Sequence, residues 1–103
     1  VLEALEDGVL ANAVRAGERL GERLDELAHK HAIVKEVRGR GLMRGIELDR
    51  PARPLVERAL GYGLIINATA GTVVRILPPL VLTTAEVDEG CAVIDRVLAE
   101  AAA

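Results

Sequence analysis

Apolar residues at Leu2, Leu5, Val9, Ala13, Ala16, Leu20, Leu24 and Leu27 recur in steps of three and four, the spacing that lays one apolar stripe along a helix. Asp7-Gly8 interrupts the stripe, so the pattern predicts a short helix, a break, and a longer helix to about Lys30. Gly17 and Gly21 both lower helix propensity. Their i, i+4 spacing puts them on one face, where either another backbone comes close or the glycines are simply tolerated. Beyond the helix the period changes to two. "IVKEV" (33–37) and "LMRGIEL" (42–48) read as two strands joined through the glycine-permitted connection "RGRG".

Pro51 to Pro54 opens a short helix, "PLVERAL", whose first turn suits Pro54 and whose end suits a left-handed glycine cap within Gly61-Tyr62-Gly63. "LII" (64–66) and "VVRIL" (73–77) follow as strands separated by the turn-like "NATAGT". Pro78-Pro79 has no N–H to donate and ends the second of them. Thr83-Thr84-Ala85-Glu86 has the form of a capping box, and Val87, Cys91, Ile94 and Leu98 share one face of the helix it opens. Arg44 shares a strand face with Leu42, Ile46 and Leu48, so it must reach solvent or meet an acid. The order α-β-β-α-β-β-α describes a small α/β fold, an α+β sandwich of helices on a mainly antiparallel sheet. It forms one domain over residues 1–103, with leading helices in 1–30 and the sheet and its helices in 33–100.

Composition narrows the chemistry. A chain of 103 residues supports one core, and with no Phe or Trp and only Tyr62 aromatic, that core is aliphatic. A net charge of −3 gives no electrostatic case for nucleic acid or an anionic membrane surface. Arg38 and Arg40 flank glycines as RNA-binding repeats do, but without interleaved aromatics they read as a structural turn. A lone Cys91 excludes an internal disulfide and a cysteine zinc site, and favours a reducing, cytoplasmic home. No apolar run is long enough to span a membrane and no signal peptide is visible, while Val1 starts inside a helical pattern, as in a piece of a longer polypeptide. His29 and His31, two apart, face different ways and share no metal. Cys91 lies on an apolar stripe and reads as core rather than nucleophile, and without Ser there is no serine triad. No catalytic, cofactor-binding or metal-binding set is self-sufficient in this chain.

Arg75 stands apart. It interrupts a run that otherwise reads as a buried strand, and an unpaired buried guanidinium costs several kcal/mol, so it needs an anion or an exit to solvent. Its planar fork suits bidentate carboxylate recognition in a way that lysine does not reproduce.

"VRGRGLMRGIEL" (37–48), followed by "GLIINATAGTVVRILPPLVLTTAEVD" (63–88), resembles the C-terminal small domain of class III aminotransferases. Within that family it is similar to the acetylornithine/succinyldiaminopimelate branch, and the likeness runs over essentially the whole chain. The resemblance implies fold type I and a parent transaminase that moves an amino group from N-acetylornithine or a related ω-amine to 2-oxoglutarate. It implies pyridoxal 5'-phosphate held by a large domain of the same chain and by the partner subunit of a homodimer, with none bound by this segment alone. It also carries a residue role onto Arg75, the arginine of the strand before Pro-Pro, as the receiver of a substrate carboxylate, while the domain as a whole forms the lid of the cleft. Two other readings fit the same residues: a freestanding amino-acid-binding regulatory module using Arg75, and a non-catalytic interaction domain in which Arg75 is structural.

Overall fold

The computed structural model describes residues 2–41, 43–76 and 83–102, with side chains described from residue 11 onward. Helix α1 runs unbroken over Leu2–Lys30, so the break expected at Asp7-Gly8 does not occur. One glycine in a helix interior costs only about 1 kcal/mol relative to alanine, and the Leu, Ala, Glu and Arg residues around it are good helix formers. His29 and Lys30 place basic groups in the last turn, where the helix dipole favours them.

Six elements follow: β1 (Val34–Arg40), β2 (Met43–Leu48), α2 (Arg53–Gly61), β3 (Asn67–Thr69), β4 (Val73–Ile76) and α3 (Thr84–Ala102). The four strands form one sheet in the order β1-β2-β4-β3, and every neighbouring pair is antiparallel. The α+β architecture and the element order are those read from the sequence.

Two boundaries moved. The "RGRG" segment is mostly strand: β1 continues to Arg40, which pairs with Met43. Gly39 has φ +106°, and a Cβ there would collide with the carbonyl oxygen of Met43, so this position of the hairpin requires glycine. The other shift is at "LII", which is not a strand; Asn67–Thr69, expected to turn, is strand β3 instead. The cause is the way α2 ends. Gly63 takes φ +89°, its N–H donates to the Leu60 carbonyl at 2.9 Å, and the Leu64 N–H donates to the Ala59 carbonyl at 2.9 Å. This glycine-centred cap commits the backbone of 63–64 to the helix end, so pairing with β4 starts later. The β3–β4 turn has left-handed φ at Ala70 (51°) and Gly71 (78°). It is held from outside by the Ala52 N–H on the Gly71 carbonyl and the Leu48 N–H on the Thr72 carbonyl, each 2.9 Å. The proline stop at Pro78-Pro79 lies outside the described residues, as do Leu42 and Leu77.

The capping box forms as read. The Thr83 N–H donates to Glu86 Oε1 and the Glu86 N–H donates to Thr83 Oγ1, both at 3.1 Å. Val87, Cys91, Ile94 and Leu98 are buried, joined by Val97. They meet Leu20, Leu24 and Leu27 of α1, Leu55 and Ala59 of α2, and Ile46, Leu48, Val74 and Ile76 of the sheet. The core is aliphatic throughout. Its apolar void beside Leu55, Ile66 and Ile94 is only about 10 Å³, no more than about one water needs and without polar partners for one. Among the described residues no helix is long and apolar enough to cross a membrane.

Gly17 and Gly21 turn out to be a fitted surface. A Cβ on Gly17 would lie 2.8 Å from the backbone of Gly41, and one on Gly21 would lie 2.7 Å from Nη2 of Arg44. Arg44 meets no acid among the described residues and stays half-buried. Its guanidinium donates to the carbonyls of Gly41 (2.8 Å), Gly39 (3.2 Å) and Gly17 (3.1 Å), tying the β1–β2 hairpin to α1. At the far side α3 is tied to α1 by Arg19 on Asp88 (2.7 Å) and Lys30 on Asp95 (2.9 Å), and to the residue just past α1 by His31 on Asp95 (2.5 Å).

Candidate functional site on the open face of the sheet

Strand parity divides β4. Val74 and Ile76 are buried against the helices, and Arg75 between them is exposed on the opposite face. The arginine is therefore not the buried charge that its apolar neighbours suggested. Those neighbours point one way and the guanidinium the other. Among the described residues, no element covers this second face and Arg75 has neither an ion pair nor a side-chain hydrogen bond.

The register places one rung across the whole sheet on that face. Arg38 of β1 pairs with Gly45 of β2, Gly45 pairs with Arg75 of β4, and Arg75 pairs with Asn67 of β3. The two arginines differ in state. Arg38 is neutralised locally, with Nε 3.0 Å from Glu36 and Nη2 2.8 Å from Glu47, and these carboxylates raise its pKa. Its guanidinium is already paired with two acids on the surface, unlike that of Arg75. Arg75 keeps all its donors, and a planar fork with free donors on an open face is suited to a carboxylate from outside. Neither Gly45 nor Asn67, which lies in the turn-like "NATAGT", carries a local sequence signal of a site. What aligns them with Arg75 is strand register, which no short stretch of sequence carries.

The other chemistry-bearing residues are occupied. Cys91 is buried, and burial pushes its thiol up to about 11, the opposite of an activated nucleophile. His31 is buried at 8% exposure against Asp95, and the hydrogen bond from His31, then that from Lys30, holds the Asp95 carboxyl below the usual carboxylate range. Lys30 is ion-paired with the same carboxylate, while Lys35 is exposed on β1.

Comparison with known proteins identifies the family. The Aminotransferase class-III family model matches residues 1–98. An acetylornithine aminotransferase 1 of Bordetella bronchiseptica is 53% identical over 91 residues, covering 86% of this chain and 23% of its own length. An acetylornithine aminotransferase of Caldanaerobacter subterraneus subsp. tengcongensis is 42% identical over 99 residues, covering 95% of this chain and 25% of its own length. The crystal structure of N-acetylornithine aminotransferase from Stenotrophomonas maltophilia K279a superposes with a TM-score of 0.84 at 29% identity, over 92% of this chain and 27% of that one. The chain thus spans about a quarter of the length of the curated relatives it matches. A helix-backed antiparallel sheet of this order, matched by the family model from its first residue to the last helix, belongs to the class-III aminotransferase family.

Proposed function

We propose that this chain is the C-terminal small domain of a pyridoxal-phosphate-dependent aminotransferase of the acetylornithine type, and that Arg75 receives a carboxylate of its substrates. The observation that carries the reading is the state of Arg75: a guanidinium on the uncovered face of the sheet, with no partner among the described residues, in a chain that belongs to this family. The relatives named for acetylornithine point to N-acetylornithine or a related ω-amine as donor and 2-oxoglutarate as acceptor. The missing three quarters of the relatives' length supply the large domain, the cofactor and the partner subunit of a cytoplasmic homodimer, and this domain covers the cleft as its lid.

Within that assembly the cofactor, when bound, provides the electron sink through which the amino group is exchanged. The contribution of this chain is positional. Arg75 offers two parallel N–H donors to a carboxylate, and the sheet fixes the origin of the side chain. A carboxylate so held leaves its substrate one orientation over the cofactor. Alone, this chain has half a cleft and no turnover.

The test is Arg75→Ala and Arg75→Lys in the full-length enzyme, assayed with N-acetylornithine and 2-oxoglutarate. Truncating one partner of a hydrogen-bonded charge pair costs about 2–5 kcal/mol, so kcat/KM for 2-oxoglutarate should fall by roughly 30-fold to several thousand-fold. The lysine variant should recover little of it, because a point charge does not reproduce the fork. Because Arg75 is exposed and packs no core, the melting temperature should stay within a few degrees. Unchanged 2-oxoglutarate kinetics would remove Arg75 from the site and favour an interaction domain with a structural arginine.

A further inference from the structure

Arg75 is flanked on its own rung by two residues that the sheet itself does not call for. Gly45 stands on one side and Asn67 on the other, and both share the open face with the guanidinium. Glycine in the interior of a strand is unfavourable and commonly marks the close approach of a ligand or another backbone. The usual internal reasons are missing at Gly45. Its φ is not in the left-handed region. A Cβ would meet only Val73 Cγ1 at 3.4 Å and the Val74 carbonyl oxygen at 3.9 Å, both ordinary contacts. Asparagine is likewise depleted in strands, and Asn67 is exposed with no side-chain hydrogen bond among the described residues to compensate. Two disfavoured residues on opposite sides of one free arginine share an explanation if each serves what the arginine binds.

Resting on the reading of Arg75 above, we infer that Gly45 and Asn67 set the specificity of this subsite for a carboxylate group. The bare backbone at Gly45 leaves open the flank from which a carboxylate lies in the plane of the guanidinium. Asn67, whose Cβ is about 5 Å from that of Arg75 as a directly opposed pair, donates its carboxamide N–H to a carboxylate oxygen that the fork leaves unfilled. A carboxylate has about four acceptor positions, so two donors from the arginine and one from the amide fit together. The ligand class is the carboxylate end of a 2-oxo acid, with the dicarboxylates foremost. Asn67 and Gly45 are specificity residues; neither takes part in bond making.

The experiment compares Asn67→Asp, Asn67→Ala, Gly45→Ala and Gly45→Val with Arg75→Ala in the full-length enzyme. It reads KM and kcat for 2-oxoglutarate, and the inhibition constant of glutarate as a dicarboxylate without the reacting carbonyl. Asn67→Asp keeps the shape and replaces a donor by an anion, so KM and the glutarate constant should rise by roughly 30-fold or more while kcat changes little. Asn67→Ala should raise both about 10-fold. Gly45→Val should exceed Gly45→Ala in the same two quantities, and Gly45→Ala should melt no lower than the parent, because its Cβ meets only ordinary contacts. KM and glutarate affinity within twofold of the parent for Asn67→Asp would overturn the inference while leaving the role of Arg75 intact. Full activity of Arg75→Ala would instead overturn the underlying function.

Discussion

Arg44 shows how far a single side chain departs from its strand pattern. Parity points it toward the helices, where a charge needs an acid or an exit, yet its guanidinium is answered by three backbone carbonyls. Hydrogen bonds from charged groups contribute about 1.5–3 kcal/mol each, less when partly exposed. Arg44→Met should therefore lower the unfolding free energy by about 2–3 kcal/mol, measured by urea denaturation. Gly21→Ala should also destabilise, since its Cβ would displace Nη2 of an arginine pinned at three points. In the Arg44→Met background that same substitution should be harmless or favourable, because the obstructing atom is gone and alanine suits a helix. An additive double mutant would show that Gly21 is only tolerated.

At the scale of elements, ends are fixed by local chemistry more than by pattern. The reciprocal bonds between Thr83 and Glu86 satisfy two of the first N–H groups of α3. Thr83→Ala should cost about 1 kcal/mol and lower the melting temperature by several degrees, read by circular dichroism; no change would mean that solvent caps this end equally well. The end of α2 shows the converse. Gly63 was legible as a cap, but its consequence, the delay of β3 to Asn67, needed the hydrogen bonds of Gly63 and Leu64. The unbroken α1 belongs here too, for Asp7-Gly8 looks like a stop only while its neighbours are left out of account.

For the molecule as a whole, α3 is held to its neighbours by carboxylates whose pKa values lie below the ordinary range. Hydrogen bonds from His31 and Lys30 lower Asp95, the Arg19 hydrogen bond lowers Asp88, and the Tyr62 hydroxyl, then Arg58, lowers Glu100. A carboxylate with a depressed folded pKa stabilises above its unfolded value, about pH 4, and that stability disappears as pH falls through the folded value. Denaturant midpoints should hold from pH 7 to about 4.5 and fall below about pH 4. Asp95→Asn should lower the midpoint at pH 7 and make the acid decline shallower. An acid limb as steep as the parent's would show that Asp95 is not part of it.

The sequence alone determined the order and type of the elements and the aliphatic core, though not the continuity of α1 or the place of β3, because period, turn residues and caps are short-range signals that one stretch of chain carries complete. It also determined the family, through V-R-G-x-G-L-M and the arginine before Pro-Pro. Only the tertiary structure decided which way Arg75 faces and who stands beside it. "VVRIL" carries the same letters whether its arginine is buried or exposed, and the choice was made by helices covering Val74 and Ile76 from one side. The rung from Arg38 through Gly45 and Arg75 to Asn67 joins residues from four strands, so no local pattern contains it. The same holds for the three carbonyls around Arg44. These are long-range contacts, and a chain acquires them only when its hydrophobic faces have closed on one another.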